Sequence, residues 1–148
     1  MVLHYAREYF RLFARRAKMA KELALSKIME ICGPAESVVL HAGEFLFQEG
    51  DEAYALYVVK KGVLRVVSGS TVYETVRTGG IVGEMAIIDE RTRSASVIAG
   101  TYSELLEVDA AKFLSLIATT PSFALTVMRV MARRLRIMDL RYGRNLPV

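Results

Sequence analysis

The spacing of apolar residues changes along the chain and predicts a helix at its start. Residues 3–31 carry apolar side chains at steps of three or four, the spacing of one face of an α-helix. The Gly33-Pro34 pair ends this helix, because glycine accepts a left-handed terminus and proline cannot continue the hydrogen-bond ladder. The members of the stripe are Leu3, Ala6, Phe10, Phe13, Ala17, Ala20, Ala24, Ile28 and Ile31.

From Ser37 to Asp109 the pattern changes to short segments rich in Val, Leu, Tyr and Phe, several of which alternate apolar with polar residues. Eight of the ten glycines fall between Gly43 and Gly100, at predicted turns. Many short strands at near-regular spacing indicate an antiparallel sandwich or roll rather than an alternating α/β sheet. The predicted strands are Ser37–His41, Phe45–Gln48, Tyr54–Val59, Val63–Ser68, Thr71–Arg77, Ser94–Ala99 and Tyr102–Val108.

After Val108 the pattern is helical again. Asp109 is a suitable N-cap for a helix over Ala110–Ala118, and Pro121 suits the first turn of a longer helix. That helix carries two apolar stripes, of which one can pack on the β segments while the other meets a partner helix. A dimer seam and a helix buried on both sides within one chain both fit this pattern. The heptad-like stripe is Ala124, Met128, Met131, Leu135, Met138 and Tyr142, and the second stripe is Phe123, Val127, Val130 and Ile137.

Together these elements predict a mainly β fold with flanking helices: an antiparallel, jelly-roll-like β-roll between an N-terminal helix and C-terminal helices. We divide the 148 residues into a basic helical segment, 1–34, and a β-roll with its C-terminal helix, 35–148. No stretch has the ~18 consecutive apolar residues of a membrane span, and the N-terminus lacks the features of a secretory signal. One cysteine cannot form an internal disulfide. We therefore expect a cytoplasmic protein.

Charge is concentrated at the two ends. Residues 1–25 hold six basic and two acidic side chains, residues 129–144 hold six and one, and the stretch between them holds eight and thirteen. We interpret the basic ends as solvated helix faces attracted to an acidic body. Binding of the basic helices to nucleic acid or to an anionic membrane surface is a hypothesis that the pattern leaves open.

The candidate chemistry lies in residues 79–97. Gly83 precedes Glu84–Ile88, which is long enough for one helical turn, and a helix N-terminus offers free N–H groups to a phosphate. Arg93 can hold two phosphate oxygens at once, and the Ser94 hydroxyl can add a third donor. An ionised Glu84 only accepts hydrogen bonds, so it suits a ribose hydroxyl. A local ion pair between Glu84 and Arg93 is the structural alternative.

The block Gly83-Glu84-Met85-Ala86 followed by Arg93-Ser94-Ala95 resembles the phosphate-binding cassette of the cyclic nucleotide-binding domain, which occurs in catabolite activators, kinases and channels. The resemblance covers about residues 35–140, and several ordered pieces agree, so it is more specific than a lone glycine motif. The other pieces are residues 42–44, 49–51, 56–62 and 131–135.

The resemblance implies a β-roll closed by helices around a 3′,5′-cyclic nucleotide. Arg93 would pair with the cyclic phosphate and Glu84 would bind the ribose 2′-hydroxyl. The last helix would act as a lid over the base, with Arg134 and Met138 nearest by position. The remaining residues of the implied ligand site are Val82, which replaces an aromatic residue common in the family, Gly83, Met85, Ala86, Ser94 and Ala95.

The preference for the adenine or the guanine base is less clearly marked in the sequence. Catabolite activators supply a Thr-Ser pair to the base from the last helix, where this chain has Met138 and Asp139. Cyclic GMP binders often have threonine directly after the cassette arginine, and Ser94 could serve a similar role at that position here. We expect cyclic AMP to be preferred over cyclic GMP, each as a ligand and not as a cofactor.

The function predicted from these features is that of a regulatory sensor which transmits nucleotide binding through its C-terminal helix. No nucleophile is paired with a base and the two histidines are far apart, so we expect neither enzyme activity nor a metal site. No helix-turn-helix DNA-binding domain follows Val148, so we expect an effector domain or protein partner outside this chain. A homodimer through the last helix is also expected. The alternative is a nucleotide-free protein-interaction or oligomerisation module on the same fold.

Overall fold

A computed structural model describes residues 7–8, 11–12, 14–15, 25–30, 37–89 and 92–142, with only the main chain described for residue 86 and residues 137–142. The described residues before position 31 are helical, and we name residues 25–30 helix α1. Of the predicted apolar stripe in this segment, Ile28 is buried and packs against the β-roll. The other stripe members and the Gly33-Pro34 stop lie outside the described residues.

The described residues form two four-stranded antiparallel sheets. Sheet A has the order β1-β8-β3-β6 and sheet B has the order β2-β7-β4-β5. The sequence pattern identified seven of these strands and missed β6, because two apolar residues between glycines show no alternation. The strands are β1 (Ser37–Leu40), β2 (Phe45–Phe47), β3 (Ala55–Lys61), β4 (Leu64–Ser68), β5 (Thr71–Val76), β6 (Ile81–Val82), β7 (Ser96–Ala99) and β8 (Ser103–Asp109).

Strands distant in sequence are neighbours in both sheets. In sheet A, β3 pairs with β8, with Leu56 opposite Val108 and Val58 opposite Leu106. In sheet B, β4 pairs with β7. Because β6 belongs to sheet A and β7 to sheet B, the chain between them passes from one sheet to the other. That connection includes helix α2 (Glu84–Asp89) and Arg93.

Strand β3 is buried on both faces, from Ala55 to Val59. Its odd positions face the core between the sheets, and its even positions, Leu56 and Val58, face the helices on the outer side of sheet A. The core between the sheets is Leu40, Ala55, Tyr57, Val59, Leu64, Val76, Val82, Val97, Ala99 and Leu105. The helix-covered core is Ile28, Leu56, Val58, Ile81, Leu106, Val108, Leu116, Phe123 and Val127.

Two helices follow β8, as the sequence predicts. Helix α3 (Ala110–Thr119) is capped by Asp109, whose Oδ1 accepts a hydrogen bond of 2.8 Å from the Lys112 main-chain N–H. Helix α4 (Pro121–Tyr142) begins at the predicted proline. In the described part of the chain no single helix is long and apolar enough to span a membrane, and α3 and α4 meet that test only as a pair bent by 117°.

As far as the described residues show, helix α4 is buried on one side only. Phe123 and Val127 of the second predicted stripe are buried, whereas Met128 and Leu135 of the heptad-like stripe are 61% and 60% exposed. Met131 of that heptad-like stripe packs against the helix-covered core instead. The side chains of Ile137, Met138 and Tyr142 are outside the described set. The exposed row, which we name the α4 stripe, is Leu125, Met128, Ala132 and Leu135.

Candidate functional site

Gly83 begins the connection between the two sheets, directly after β6 and before α2. Its φ is +79°, a left-handed conformation that residues with a Cβ rarely adopt. A Cβ at this position would lie 2.5 Å from Nη1 of Arg93 and 3.3 Å from the carbonyl oxygen of Ala55. The main chain can therefore come this close to the arginine only because residue 83 is glycine.

Arg93 extends into the interior, where it is 5% exposed. Its Nη2 donates to the Ala55 carbonyl at 2.7 Å, and its Nη1 donates to the Gly83 carbonyl at 3.1 Å. Its Nε is buried and has no hydrogen-bond partner among the described residues. The guanidinium is thus positioned by main-chain carbonyls, and its Nε–H remains available as a donor.

Burial lowers the pKa of Arg93, because desolvation disfavours the charged form. Negative groups nearby, including Asp51 and Glu84, oppose that shift. No described carboxylate forms an ion pair with Arg93. The side chain is therefore a desolvated cation for which a bound anion would be a favourable partner.

Glu84, the first residue of α2, is completely buried. Its Oε1 accepts a hydrogen bond from Nη1 of Arg134, while its Oε2 is buried without a partner among the described residues. The alternative in which Glu84 and Arg93 pair with each other is wrong, since the carboxylate pairs with Arg134 instead. Oε2 of Glu84 thus remains available as an acceptor, as Nε–H of Arg93 remains available as a donor.

Arg134 connects α4 to an edge strand of each sheet, β6 in sheet A and β5 in sheet B. Its Nη2 donates to the Ile81 carbonyl at 2.9 Å, and its Nε donates to Oε2 of Glu74 on β5 at 2.7 Å. Nη2 of the neighbouring Arg133 donates to the other oxygen of Glu74 at 2.9 Å. Burial by itself would lower the pKa of Arg134, but the carboxylates of Glu84 and Glu74 raise it above its usual value.

A cavity of about 80 Å³ lies between α2, sheet B and α4. Its lining brings together most of the residues that the sequence predicts for the site. Ala86 lies in α2 without a described side chain, and the Met138 side chain is likewise outside the described set. The predicted residues in the lining are Val82, Gly83, Glu84, Met85, Arg93, Ser94, Ala95 and Arg134.

Sequence reasoning missed the part of the site that comes from sheet B. Phe47, Val66, Thr92 and Val97 also line the cavity. Three of them are register neighbours, because Val97 lies opposite Phe47 on β2 and opposite Val66 on β4. The alternation within each strand is visible in the sequence, but the pairing that assembles the three side chains is not. Glu74, which holds Arg134, was missed for the same reason.

The family model of the cyclic nucleotide-binding domain matches residues 37–120. This chain belongs to the cyclic nucleotide-binding domain family. The matched range contains both sheets, α2 and the cavity residues other than Arg134. The predicted fold is confirmed: two antiparallel sheets with flanking helices form the β-roll of this family.

Individual relatives of this cyclic nucleotide-binding domain include a cyclic AMP receptor protein of Thermus thermophilus, 35% identical over 66% of this chain and 48% of that protein. A cGMP-dependent protein kinase of Caenorhabditis elegans is 32% identical over 73% of this chain and 14% of that protein. The crystal structure of Thermus thermophilus catabolite activator protein superposes with a TM-score of 0.69 and 30% identity, covering 81% of this chain and 57% of that one. The matched region spans between 8% and about half of the curated relatives' lengths.

Proposed function

We propose that this domain is a regulatory sensor that binds a 3′,5′-cyclic nucleotide in the cavity beside α2 and transmits binding through α4. Arg93 holds the cyclic phosphate, with Ser94, Ala95 and the main chain of residues 83–86 around it. Glu84 holds the ribose 2′-hydroxyl. The domain itself is not an enzyme, works in the cytoplasm and acts on an effector domain or protein partner.

The observation that carries this proposal is the pair of unsatisfied polar atoms in one cavity. Nε of Arg93 is a buried donor and Oε2 of Glu84 is a buried acceptor, and neither has a partner among the described residues. Buried polar groups without partners cost free energy, so a ligand that satisfies both is strongly favoured. A ribose cyclic phosphate supplies an anionic oxygen for the first atom and a hydroxyl for the second.

Transmission through α4 is supported by the contacts of Arg134. This side chain bonds to Glu84 inside the cavity and to Glu74 and Ile81 beside it. Arg134 also lines the cavity, so a nucleotide bound there would contact or displace this side chain. A ligand that binds one arrangement of α4 better than the other changes the population of that arrangement.

Cyclic AMP is the preferred nucleotide in this proposal. The Ser94 hydroxyl can serve the role of the threonine that cyclic GMP binders often have after the cassette arginine, so the cassette admits both nucleotides. The relatives include both a cyclic AMP receptor protein and a cGMP-dependent protein kinase, and calorimetry with both nucleotides measures the preference.

Titration calorimetry with cyclic AMP, cyclic GMP and adenosine tests the proposal. We expect saturable binding of both cyclic nucleotides, tighter for cyclic AMP, and far weaker binding of adenosine because it lacks the phosphate. Absence of heat and of any thermal shift with either cyclic nucleotide at millimolar concentration would refute the sensor function. It would favour the nucleotide-free interaction module.

Glu84→Gln should weaken cyclic AMP binding about fivefold, since a charge-assisted hydrogen bond to the 2′-hydroxyl becomes a neutral one. The substitution also weakens the ion pair with Arg134. An effect of this weaker pair on the whole site must therefore be separated from loss of the ribose contact. Comparison with 2′-deoxy cyclic AMP does this, because the variant should lose most of the wild-type preference for the ribonucleotide. Glu52→Gln, an exposed carboxylate before β3, is the matched control. An unchanged preference in Glu84→Gln would contradict the assigned role.

We also propose that the α4 stripe is the contact surface of a homodimer. Leu125, Met128 and Leu135 are between 47% and 61% exposed and lie with Ala132 along one helix face at steps of three and four. That spacing is the seam of a two-helix contact. A second copy offers the same seam, as a twofold interface requires.

Sedimentation at micromolar concentration tests the dimer. We expect the wild type to sediment as a dimer and Met128→Glu as a monomer, because an unpaired charge in the seam costs several kcal/mol. Leu114→Glu places the same charge at a 66% exposed leucine on α3 and should remain dimeric. A monomeric wild type would remove the proposal.

A further inference from the structure

We propose that Phe47 is a positioning residue for Arg93: the face of its ring carries the guanidinium and holds it oriented toward the cavity. Arg93 Cζ lies 4.0 Å from the centroid of the Phe47 ring, well within the ~6 Å range of cation–π contacts. This inference rests on the proposed function where it concerns nucleotide affinity. The orientation of the guanidinium is a separate property and can be measured without a ligand.

The argument starts from the charge balance around Arg93. The guanidinium is 5% exposed, and none of the described carboxylates forms an ion pair with it. Two main-chain carbonyls accept from its terminal nitrogens, but they are neutral and leave Nε free. A buried cation without a paired anion needs another source of negative potential, and the face of an aromatic ring provides one.

The packing of the ring keeps this contact in place. Phe47 and Tyr57 lie with their centroids 6.2 Å apart, tilted by 36°. Tyr57 is buried in the core between the sheets, and burial raises its pKa, so the phenol stays neutral beside the guanidinium. Its ring is 5.8 Å from Arg93 Cζ and contributes a second, more distant π face. Phe47 is therefore the nearer of two rings that support one cation.

The position of Phe47 explains why Arg93 can hold an anion. With Cζ over the Phe47 ring, the guanidinium has an apolar surface on that side, and its N–H groups form their hydrogen bonds with groups elsewhere. Nη1 and Nη2 each donate a hydrogen bond to a main-chain carbonyl, of Gly83 and Ala55, and Nε is the guanidinium nitrogen without a partner among the described residues. Loss of the ring would let the guanidinium rotate and would expose it to water. Binding of a phosphate would then have to order the mobile guanidinium, and this entropic cost would reduce the binding free energy.

The ligand-free test is the Nε–Hε resonance of Arg93 in uniformly 15N-labelled protein, assigned by its disappearance in Arg93→Lys. We expect the ring current to place this signal upfield of the other arginine Nε–Hε signals. Phe47→Leu, which keeps an apolar side chain but removes the ring, should return it to their range, and Phe47→Tyr should keep it upfield. A signal that does not move in Phe47→Leu would overturn the proposal.

The ligand test is calorimetry with cyclic AMP. Phe47→Leu should weaken binding ~5- to 30-fold, the range expected for loss of a desolvated cation–π contact, and Phe47→Tyr should restore it. Phe45→Leu is the matched control, because Phe45 is on the same strand, is 48% exposed and does not line the cavity. Thermal midpoints of all variants verify folding. Wild-type affinity in Phe47→Leu would also overturn the proposal.

A double-mutant cycle separates positioning from direct contact with the nucleotide. In an Arg93→Ala background, which leaves no cation for the ring to hold, the Phe47→Leu substitution should cause no further loss of affinity. The full loss in that background would mean that Phe47 touches the ligand itself and does not act through Arg93. If wild-type protein binds neither cyclic nucleotide, the proposed function fails, and the Nε–Hε signal alone decides the role of Phe47.

Discussion

Arg93→Ala is expected to weaken cyclic nucleotide binding at least tenfold without unfolding the β-roll. Each charge-assisted hydrogen bond contributes ~1.5–3 kcal/mol and each ~1.4 kcal/mol is a factor of ten, so the loss of one bond already reaches that value. The carbonyls of Ala55 and Gly83 lose their donors, but the cavity beside them can admit water. Titration calorimetry with cyclic AMP and cyclic GMP measures the effect.

Two further variants define what the arginine contributes. Arg93→Lys keeps the charge but cannot reach two oxygens at once, so its affinity should fall between wild type and Arg93→Ala. Arg77→Ala removes an exposed arginine after β5 and should bind as the wild type does. Wild-type affinity in Arg93→Ala, with the thermal midpoint preserved, would refute the assignment of Arg93 to the phosphate.

Gly83→Ala should both destabilise the domain and impair binding. A non-glycine residue in the left-handed region costs ~1–2 kcal/mol, which corresponds to a Tm lower by roughly 2–8 °C. The added Cβ would also lie 2.5 Å from Nη1 of Arg93, so the guanidinium has to move. Displacing one charge-assisted donor predicts ~10- to 100-fold weaker binding of cyclic AMP.

Gly43→Ala is the control that separates backbone strain at a left-handed residue from displacement of the Arg93 guanidinium. Gly43 has φ +89°, close to the +79° of Gly83, but a Cβ there meets nothing within 4 Å. Thermal unfolding should show a similar drop for both variants, while calorimetry should show a large loss of affinity for Gly83→Ala only. Equal affinities in the two variants would mean that the close approach of Gly83 to Arg93 has no part in binding.

Much of the fold was predictable because its signals are local. Alternating apolar residues and glycine turns located seven of the eight strands, and Asp109 and Pro121 marked the starts of α3 and α4. The missed strand, β6, is two residues long, and it is a strand only because Tyr57 and Val58 pair with it. Similarly, the sequence shows two apolar stripes on α4 but not which residues stay exposed. Burial of one side of the helix against the roll leaves a different row exposed, namely Leu125, Met128, Ala132 and Leu135.

The amino-acid order alone determined the family and the cassette, since Gly83, Glu84 and Arg93 lie close together in the chain and carry their own chemistry. Only the tertiary structure decided which side chains contact this cassette. Glu84 pairs with Arg134, fifty residues further along the chain, and Arg93 lies against the ring of Phe47 on strand β2. The physical reason is that these partners meet through strand register and helix packing, which depend on burial across the whole roll and not on neighbours in sequence.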